Sequence, residues 1–193
     1  MRPVCAILLA IFCAPAPVRA ASAVTLVLQF DDAYSAKSLS AMKREVASIV
    51  VESGIKVDWR LLADVRSSET FESLVVVRFR GACLMQPVPY LVDERGYYAF
   101  THISDGDVLP FSEVECDKIA SSIGRAMSRS QWRERDSILG RALGRVLAHE
   151  LYHMLAKSQH HAGDGVTRSK LSASQLIADR LTMSPADLET LRR

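Results

Sequence analysis

Residues 148–161 read AHELYHMLAKSQHH. Within them, His149, Glu150 and His153 form an H-E-x-x-H pattern. Two residues four apart on a helix project from the same face, so both imidazoles can bind one metal ion. Glu150 follows His149 directly, and its carboxylate can reach a metal-bound water and accept a proton from it. The pattern therefore predicts one catalytic zinc ion, with His149 and His153 as ligands and Glu150 as the general base.

A catalytic zinc ion needs a third protein ligand. His160 and His161 lie seven and eight residues after His153, where a chain that turns out of the helix can come back under the metal. We expect His161 to be the third ligand, and His160 is the alternative. An acidic side chain from a later helix, such as Asp179, is a further alternative.

The motif lies in an apolar segment with helical spacing. The apolar positions are Ile138, Leu139, Leu143, Val146, Leu147, Leu151 and Leu155. A helix is predicted to begin between residues 130 and 136 and to end near residue 157. Charged groups among such residues must be paired or bound to a metal, so the setting favours a metal site over a solvated helix face.

The first half of the chain has the pattern of strands. Four strands are predicted, at 24–30, 56–61, within 70–79 and at 97–103, and a helix at 38–53 connects the first two. The continuous apolar run of the third strand favours a central position, and the aromatic bias of the fourth suits an edge. Short helices are predicted at 172–181 and 185–191, capped by Ser172 and Ser184. Residues 21–193 are therefore expected to form one α+β domain, with a small mixed sheet packed against two main helices.

The first twenty residues have the pattern of a secretory signal peptide. Arg2 precedes ten apolar residues at 4–13, prolines follow, and Ala20 ends a small-residue cleavage site. Ten apolar residues are too few to cross a hydrocarbon core of about 30 Å. The sequence thus predicts a signal peptide at residues 1–20 and a secreted or periplasmic protein.

Removal of this segment changes the charge and the cysteine count. The whole chain has 24 basic residues, 22 acidic residues and four cysteines. Without Arg2 and Arg19, basic and acidic residues are equal in number, which gives no basis for nucleic-acid binding. Cys83 and Cys116 remain, and one pair in an oxidising compartment predicts a disulfide. Two zinc thiolates would need the close C-x-x-C spacing, which these cysteines lack.

The second half of the chain resembles the metzincin-type zinc metalloproteases, in particular small secreted bacterial members. The matching positions are His149, Glu150, His153 and His161, followed by Gly-Val-Thr at 165–167 where the family has a triplet such as Gly-Ile-Met. The match covers about residues 140–192. It implies a metzincin-like fold, zinc bound by the three histidines, Glu150 as general base, and a peptide or protein substrate.

Three positions depart from the family pattern. The third histidine usually follows the second by six residues, whereas His161 is eight residues after His153. Ala156 stands where the family has a turn glycine, and Thr167 where it has a methionine beneath the metal. We expect a slightly longer helix, with Ser158 and Gln159 making the turn, to absorb the first two changes. The third change affects the packing under the site rather than the ligands.

These observations predict a secreted zinc metalloendopeptidase. The alternative from another class is a secreted protein that binds zinc without cleaving peptides. A gluzincin-like peptidase with an acidic third ligand is the remaining alternative. Glu150 favours a peptidase, because a purely structural zinc site has no use for a general base.

Overall fold

The computed structural model describes residues 23–86 and 95–193, so the predicted signal peptide lies outside the described residues. The strands within these ranges are β1 (Ala23–Phe30), β2 (Lys56–Leu61), β3 (Leu74–Arg80), β4 (Ala99–Ser104) and β5 (Asp107–Glu115). The α-helices are α1 (Ala36–Val50), α2 (Cys116–Ala126), α3 (Arg135–Ala156), α4 (Ala173–Ile177) and α5 (Pro185–Leu191). In this part of the chain, no helix is long and apolar enough to span a membrane.

The strands form one mixed sheet in the order β2-β1-β3-β5-β4. The first four strands in this order are parallel, and β4 is antiparallel to β5. As predicted, β3 is central and β4 lies at an edge of the sheet. The fourth strand begins at Ala99 rather than at Tyr97, whose side chain is 71% exposed.

The sequence prediction was wrong in giving the sheet four strands, because it missed β5. Pro110 interrupts the alternation in this segment, and a proline argues against a paired strand. In the structure, Pro110 lies where the pairing of β5 with β4 shifts register, between Val108 and Ser112. Pairing of β5 with β3 begins only at Phe111. A residue without an N–H is tolerated at such an irregularity.

Helix α3 runs through the core, with buried residues along most of its length. Two of its glycines allow α1 to pack very closely against it. A Cβ atom on Gly140 would lie 2.3 Å from the carbonyl oxygen of Ser38, and one on Gly144 would lie 2.7 Å from Cβ of Glu45. The α1–α3 contact therefore requires residues without a side chain at both positions.

A buried arginine ties three helices together. Arg145 of α3 is fully buried, and its Nε donates to the Glu45 carboxylate of α1 at 2.7 Å. Its Nη1 donates to the carbonyl oxygen of Gln175 in α4 at 2.6 Å. A buried charge needs such partners, and here they fix the helix that carries the H-E-x-x-H motif.

The predicted disulfide between Cys83 and Cys116 is present. It links the segment after β3 to the first residue of α2. Both cysteines are buried in the hydrophobic core. In the chain-entropy view, closing a loop of this length stabilises the fold by about 2–4 kcal/mol.

Candidate metal centre

Two histidines of α3 present the same nitrogen to a common point. Nδ1 of His149 lies 2.8 Å from the carbonyl oxygen of Val166, and Nδ1 of His153 lies 2.6 Å from that of Ser158. A carbonyl oxygen only accepts, so each neutral ring carries its hydrogen on Nδ1 and its lone pair on Nε2. The backbone thus selects the tautomer that a metal ligand needs.

The two Nε2 atoms lie 3.1 Å apart. Two lone pairs at this distance cannot share a hydrogen bond, and a cation between them would satisfy both. Four ligands at about 2.0–2.1 Å from a tetrahedral zinc ion place neighbouring nitrogens about 3.4 Å apart. The observed separation is close to that value, so this pair fits zinc.

The turn after α3 brings a third histidine to the same point. Helix α3 ends at Ala156, and Lys157 takes the left-handed conformation with φ of 51°. The turn therefore begins at Lys157, one residue before the predicted turn residues Ser158 and Gln159. The ring centroid of His161 lies 5.2 Å from that of His149 and 4.7 Å from that of His153.

One ligand atom of each of the three histidines lies within 4.8 Å of the others. His160 is exposed and does not belong to this group. Asp179 is also exposed, and its carboxylate lies 3.6 Å from the Arg141 guanidinium. Of the candidates for a third ligand, the structure brings only His161 to the two helix histidines within the described ranges.

Burial lowers the pKa of His149 and of His153 below the ordinary value of 6.5. The cause is loss of solvation of the charged ring, and the bonds to the two carbonyl oxygens act in the opposite direction. Both rings are consequently neutral at neutral pH, as metal ligands must be.

Glu150 is 5% exposed and is held by a hydroxyl from the sheet. Thr101 of β4 donates to its Oε2 at 2.6 Å. Ser112 of β5 lies 3.4 Å from the same oxygen and 3.0 Å from the carbonyl oxygen of Phe100. Since a hydroxyl has one hydrogen, the shorter contact to Phe100 takes it, and Thr101 is the main donor to Glu150.

Burial raises the pKa of Glu150, and the bond from Thr101 opposes this shift in part. A carboxylate whose pKa is raised closer to 7 is better able both to accept and to donate a proton at neutral pH. Sequence reasoning missed Thr101 and Ser112, which lie far from the motif in the chain. The signal that was available is a threonine in an otherwise aromatic and apolar strand segment.

The loop at residues 165–167 holds the ring of His149 in its orientation through a backbone hydrogen bond. Its Val166 carbonyl oxygen accepts from His149, and its Val166 N–H donates to the carbonyl oxygen of Thr182 at 2.9 Å. Gly165 has φ of 69°, and a Cβ atom there would lie 2.7 Å from that same oxygen of Thr182. Only glycine fits this position, which fixes the carbonyl oxygen that orients His149.

A buried polar cluster anchors the other side of this loop. The hydroxyl of Thr167 donates to the carboxylate of Asp187 in α5. Ser184 donates to the same carboxylate oxygen at 2.7 Å. The sequence resemblance aligns Thr167 with a methionine, and here a hydrogen bond to α5 holds this position in place.

The three histidines and Glu150 open onto a cavity of about 290 Å³. Strand β4 forms one wall of it, and the residues around the turn after α3 form another. Apolar side chains of the cavity wall include Phe100, Ile103 and Val108. The backbone of β4 therefore runs beside the histidine cluster with one edge unpaired in the described part of the sheet.

No protein-family model and no curated protein sequence matches this chain. The crystal structure of archaemetzincin from Methanopyrus kandleri is similar, with a TM-score of 0.54 and 15% sequence identity. The match covers 91% of this chain and 97% of the archaemetzincin chain. The chain therefore has an archaemetzincin-like α+β fold, which confirms the predicted metzincin-like architecture at the level of overall fold.

Proposed function

We propose that this chain is a zinc-dependent metallopeptidase that acts outside the cytoplasm. The observation that carries the proposal is the pair of Nε2 lone pairs of His149 and His153, 3.1 Å apart, with Glu150 buried beside them. The archaemetzincin-like fold supports it, because the name of that neighbour places it among the metzincins. The signal-peptide pattern of residues 1–20 supports the location.

His149, His153 and His161 would hold the zinc ion through neutral imidazole nitrogens. When bound, zinc supplies a Lewis acid and lowers the pKa of a water in the fourth position to about 7. Val166 and Ser158 orient the first two rings through their carbonyl oxygens. His161 lies on the exposed loop and completes the set.

Glu150 is the proposed general base. Thr101 fixes Oε2 of Glu150, so Oε1 is the oxygen that can accept a proton from the attacking water. The water oxygen then bonds to the carbonyl carbon of the peptide. As the C–N bond breaks, Glu150 passes the same proton to the amine nitrogen of the leaving fragment. Its raised pKa suits both transfers, because the carboxyl group must take up a proton and release it.

The outer edge of β4, unpaired within the described ranges, is the proposed binding site for an extended peptide. Tyr98 O accepts from Glu115 N of β5, so the backbone groups of Tyr98 and Phe100 face β5. Those of Ala99 and Thr101 consequently point away from β5, because backbone direction alternates along a strand. A peptide strand added at this edge would lie along the cavity that contains the histidines.

Zinc content and peptide cleavage test the proposal together. We expect wild-type protein and Glu150→Ala to bind one zinc ion each, and only wild-type protein to cleave members of an unbiased peptide library. His161→Ala should lose zinc, whereas His160→Ala, its matched control, should keep it. Zinc retention by His161→Ala together with zinc loss by Asp179→Ala would favour an acidic third ligand.

Two further results test whether the protein cleaves peptides and whether a peptide binds along β4. Zinc binding without cleavage of any peptide by wild-type protein would instead favour a zinc-containing binding protein. For a cleaved peptide, N-methylation of the amides that pair with Ala99 and Thr101 should abolish cleavage. Uniform tolerance of N-methylation along the peptide would contradict binding at β4.

A further inference from the structure

One arginine of the cleft has no partner among the described residues. Arg168 directly follows the loop that orients His149, and it lines a cavity of about 50 Å³ together with His149 and Glu150. Its side chain is half-buried, and in residues 23–86 and 95–193 it makes no hydrogen bond or ion pair. A guanidinium that lines a cavity and has no protein acceptor leaves its N–H donors available, so this cavity suits a ligand that brings an acceptor.

The charge of the cleft is distributed unevenly along β4. Among the residues that the structure describes, no arginine or lysine lines the larger cavity, which extends to Ile103 and Val108. Arg168 lines the smaller cavity near the start of β4, and Lys170 lines a neighbouring one beside Tyr97. The cleft is therefore apolar towards the end of β4 and cationic towards its beginning.

We propose that Arg168 binds a carboxylate of the substrate. This inference rests on the proposed peptidase function and names the substrate class: peptides with a carboxylate close to the cleaved bond. A guanidinium matches a carboxylate with two parallel hydrogen bonds, which selects for that group over a neutral one. The carboxylate can be the free C-terminus of a short peptide or the side chain of aspartate or glutamate.

The direction of β4 places this carboxylate on the C-terminal side of the cleaved bond. Antiparallel pairing is slightly more stable per residue than parallel pairing. A peptide antiparallel to β4 runs from the Ser104 end towards Ala99, so its C-terminal part approaches Arg168. The N-terminal part lies beside the apolar wall at Ile103 and Val108.

The test uses four peptides built on one cleaved sequence. One pair has glutamate or glutamine immediately after the cleaved bond, with amidated C-termini. The other pair ends two residues after that bond with a free carboxylate or an amide. Each is assayed with wild-type protein, Arg168→Gln and Arg133→Gln. Arg133 is an exposed arginine in the turn before α3, about 20 Å along the helix axis from His149.

We expect wild-type protein to prefer the carboxylate member of at least one pair by about tenfold or more in kcat/KM. In Arg168→Gln this ratio should fall to near one, and in Arg133→Gln it should stay at the wild-type value. The pair that responds identifies the source of the carboxylate. Equal cleavage within both pairs by wild-type protein, or an unchanged ratio in Arg168→Gln, would overturn the inference and leave the peptidase function standing.

If wild-type protein cleaves no member of the peptide library, the proposed function fails instead, and the four peptides are then built on a library sequence that zinc-loaded protein binds. Carboxylate recognition is then tested by the fluorescence anisotropy of the same four labelled peptides with zinc-loaded protein. Tighter binding of a carboxylate member that is lost in Arg168→Gln supports the inference. Equal binding within both pairs overturns it.

Discussion

Thr167 and Asp187 are joined by a buried hydrogen bond, and neither side chain is more than 4% exposed. This bond connects α5 to the loop whose Val166 carbonyl oxygen orients His149. Helix α5 is thereby coupled to a proposed metal ligand that precedes it by more than thirty residues. Removing this hydrogen bond should therefore change the zinc affinity of the protein.

Thr167→Val should weaken zinc binding by about tenfold to hundredfold. The substitution keeps the shape of the side chain but removes the hydrogen bond that holds the loop next to His149. The measurement is a zinc dissociation constant from competition with a chelator. Thr70→Val is the control for the substitution itself, since Thr70 is an exposed threonine in the segment before β3, away from α5 and the loop 165–167. Equal zinc affinity in the two variants would show that the bond does not orient His149.

Thr101→Val should lower kcat by about tenfold to hundredfold without loss of zinc, because one charge-assisted hydrogen bond fixes the Glu150 carboxylate. Ser112→Ala should have a smaller effect, since the Ser112 hydroxyl is 3.4 Å from Glu150 and closer to Phe100. Steady-state kinetics with zinc-loaded variants provide the comparison. A larger loss in Ser112→Ala would reverse the assignment of the main donor.

Gly140→Ala should destabilise the fold by about 1–3 kcal/mol, because the new methyl group would overlap the carbonyl oxygen of Ser38. Gly124→Ala in α2 is the control. A Cβ atom there meets nothing closer than 3.6 Å, and alanine is favoured over glycine inside a helix by about 0.5–1 kcal/mol. Urea unfolding of the two variants should therefore shift in opposite directions, and a shift in the same direction would contradict the close α1–α3 contact.

The metal-free protein should lose stability as the pH falls below 6.5. The pKa values of His149 and His153 are lower in the folded chain than in the unfolded chain, so the unfolded chain binds more protons in this range. The raised pKa of Glu150 acts in the opposite sense, because the folded chain then binds the extra proton. The free energy of unfolding at pH 7.5 and at pH 5.5, measured in the presence of a chelator, gives the net result of the histidine and Glu150 contributions.

Replacing both histidines by glutamine should remove the histidine part of this pH dependence. The pH dependence of stability that remains in this double variant comes from Glu150 and other groups. Suppose that wild-type protein is more stable at pH 5.5 than at pH 7.5 and that the double variant shows the same difference. That result would show that the histidines do not titrate as their burial indicates.

The sequence predicted most strands and helices because their signals are local. The start of α5 follows from Ser184 and Pro185, and α3 follows from an apolar run with helical spacing. Strand β5 could not be found in this way, because its pairing with β3 and β4 compensates for Pro110. Such compensation depends on residues far away in the chain.

The same division holds for the candidate site. His149, Glu150 and His153 form a local motif, and only a few residues after it qualify as a third ligand. The atoms that orient them could not be predicted, because Val166 and Ser158 act through carbonyl oxygens that every residue possesses. Side-chain identity carries no information about such contacts.

The outer edge of β4, which no strand of residues 23–86 or 95–193 pairs with, also bears on how the protein behaves in solution. Strand edges in soluble proteins are commonly protected by charged residues or prolines, and β4 from Ala99 to Ser104 has neither. Phe100 and Ile103 are 42% and 51% exposed there. The edge that would admit a peptide would equally admit the same edge of a second molecule. Concentrated protein should therefore self-associate when the cleft is empty, and a bound peptide should keep it monomeric.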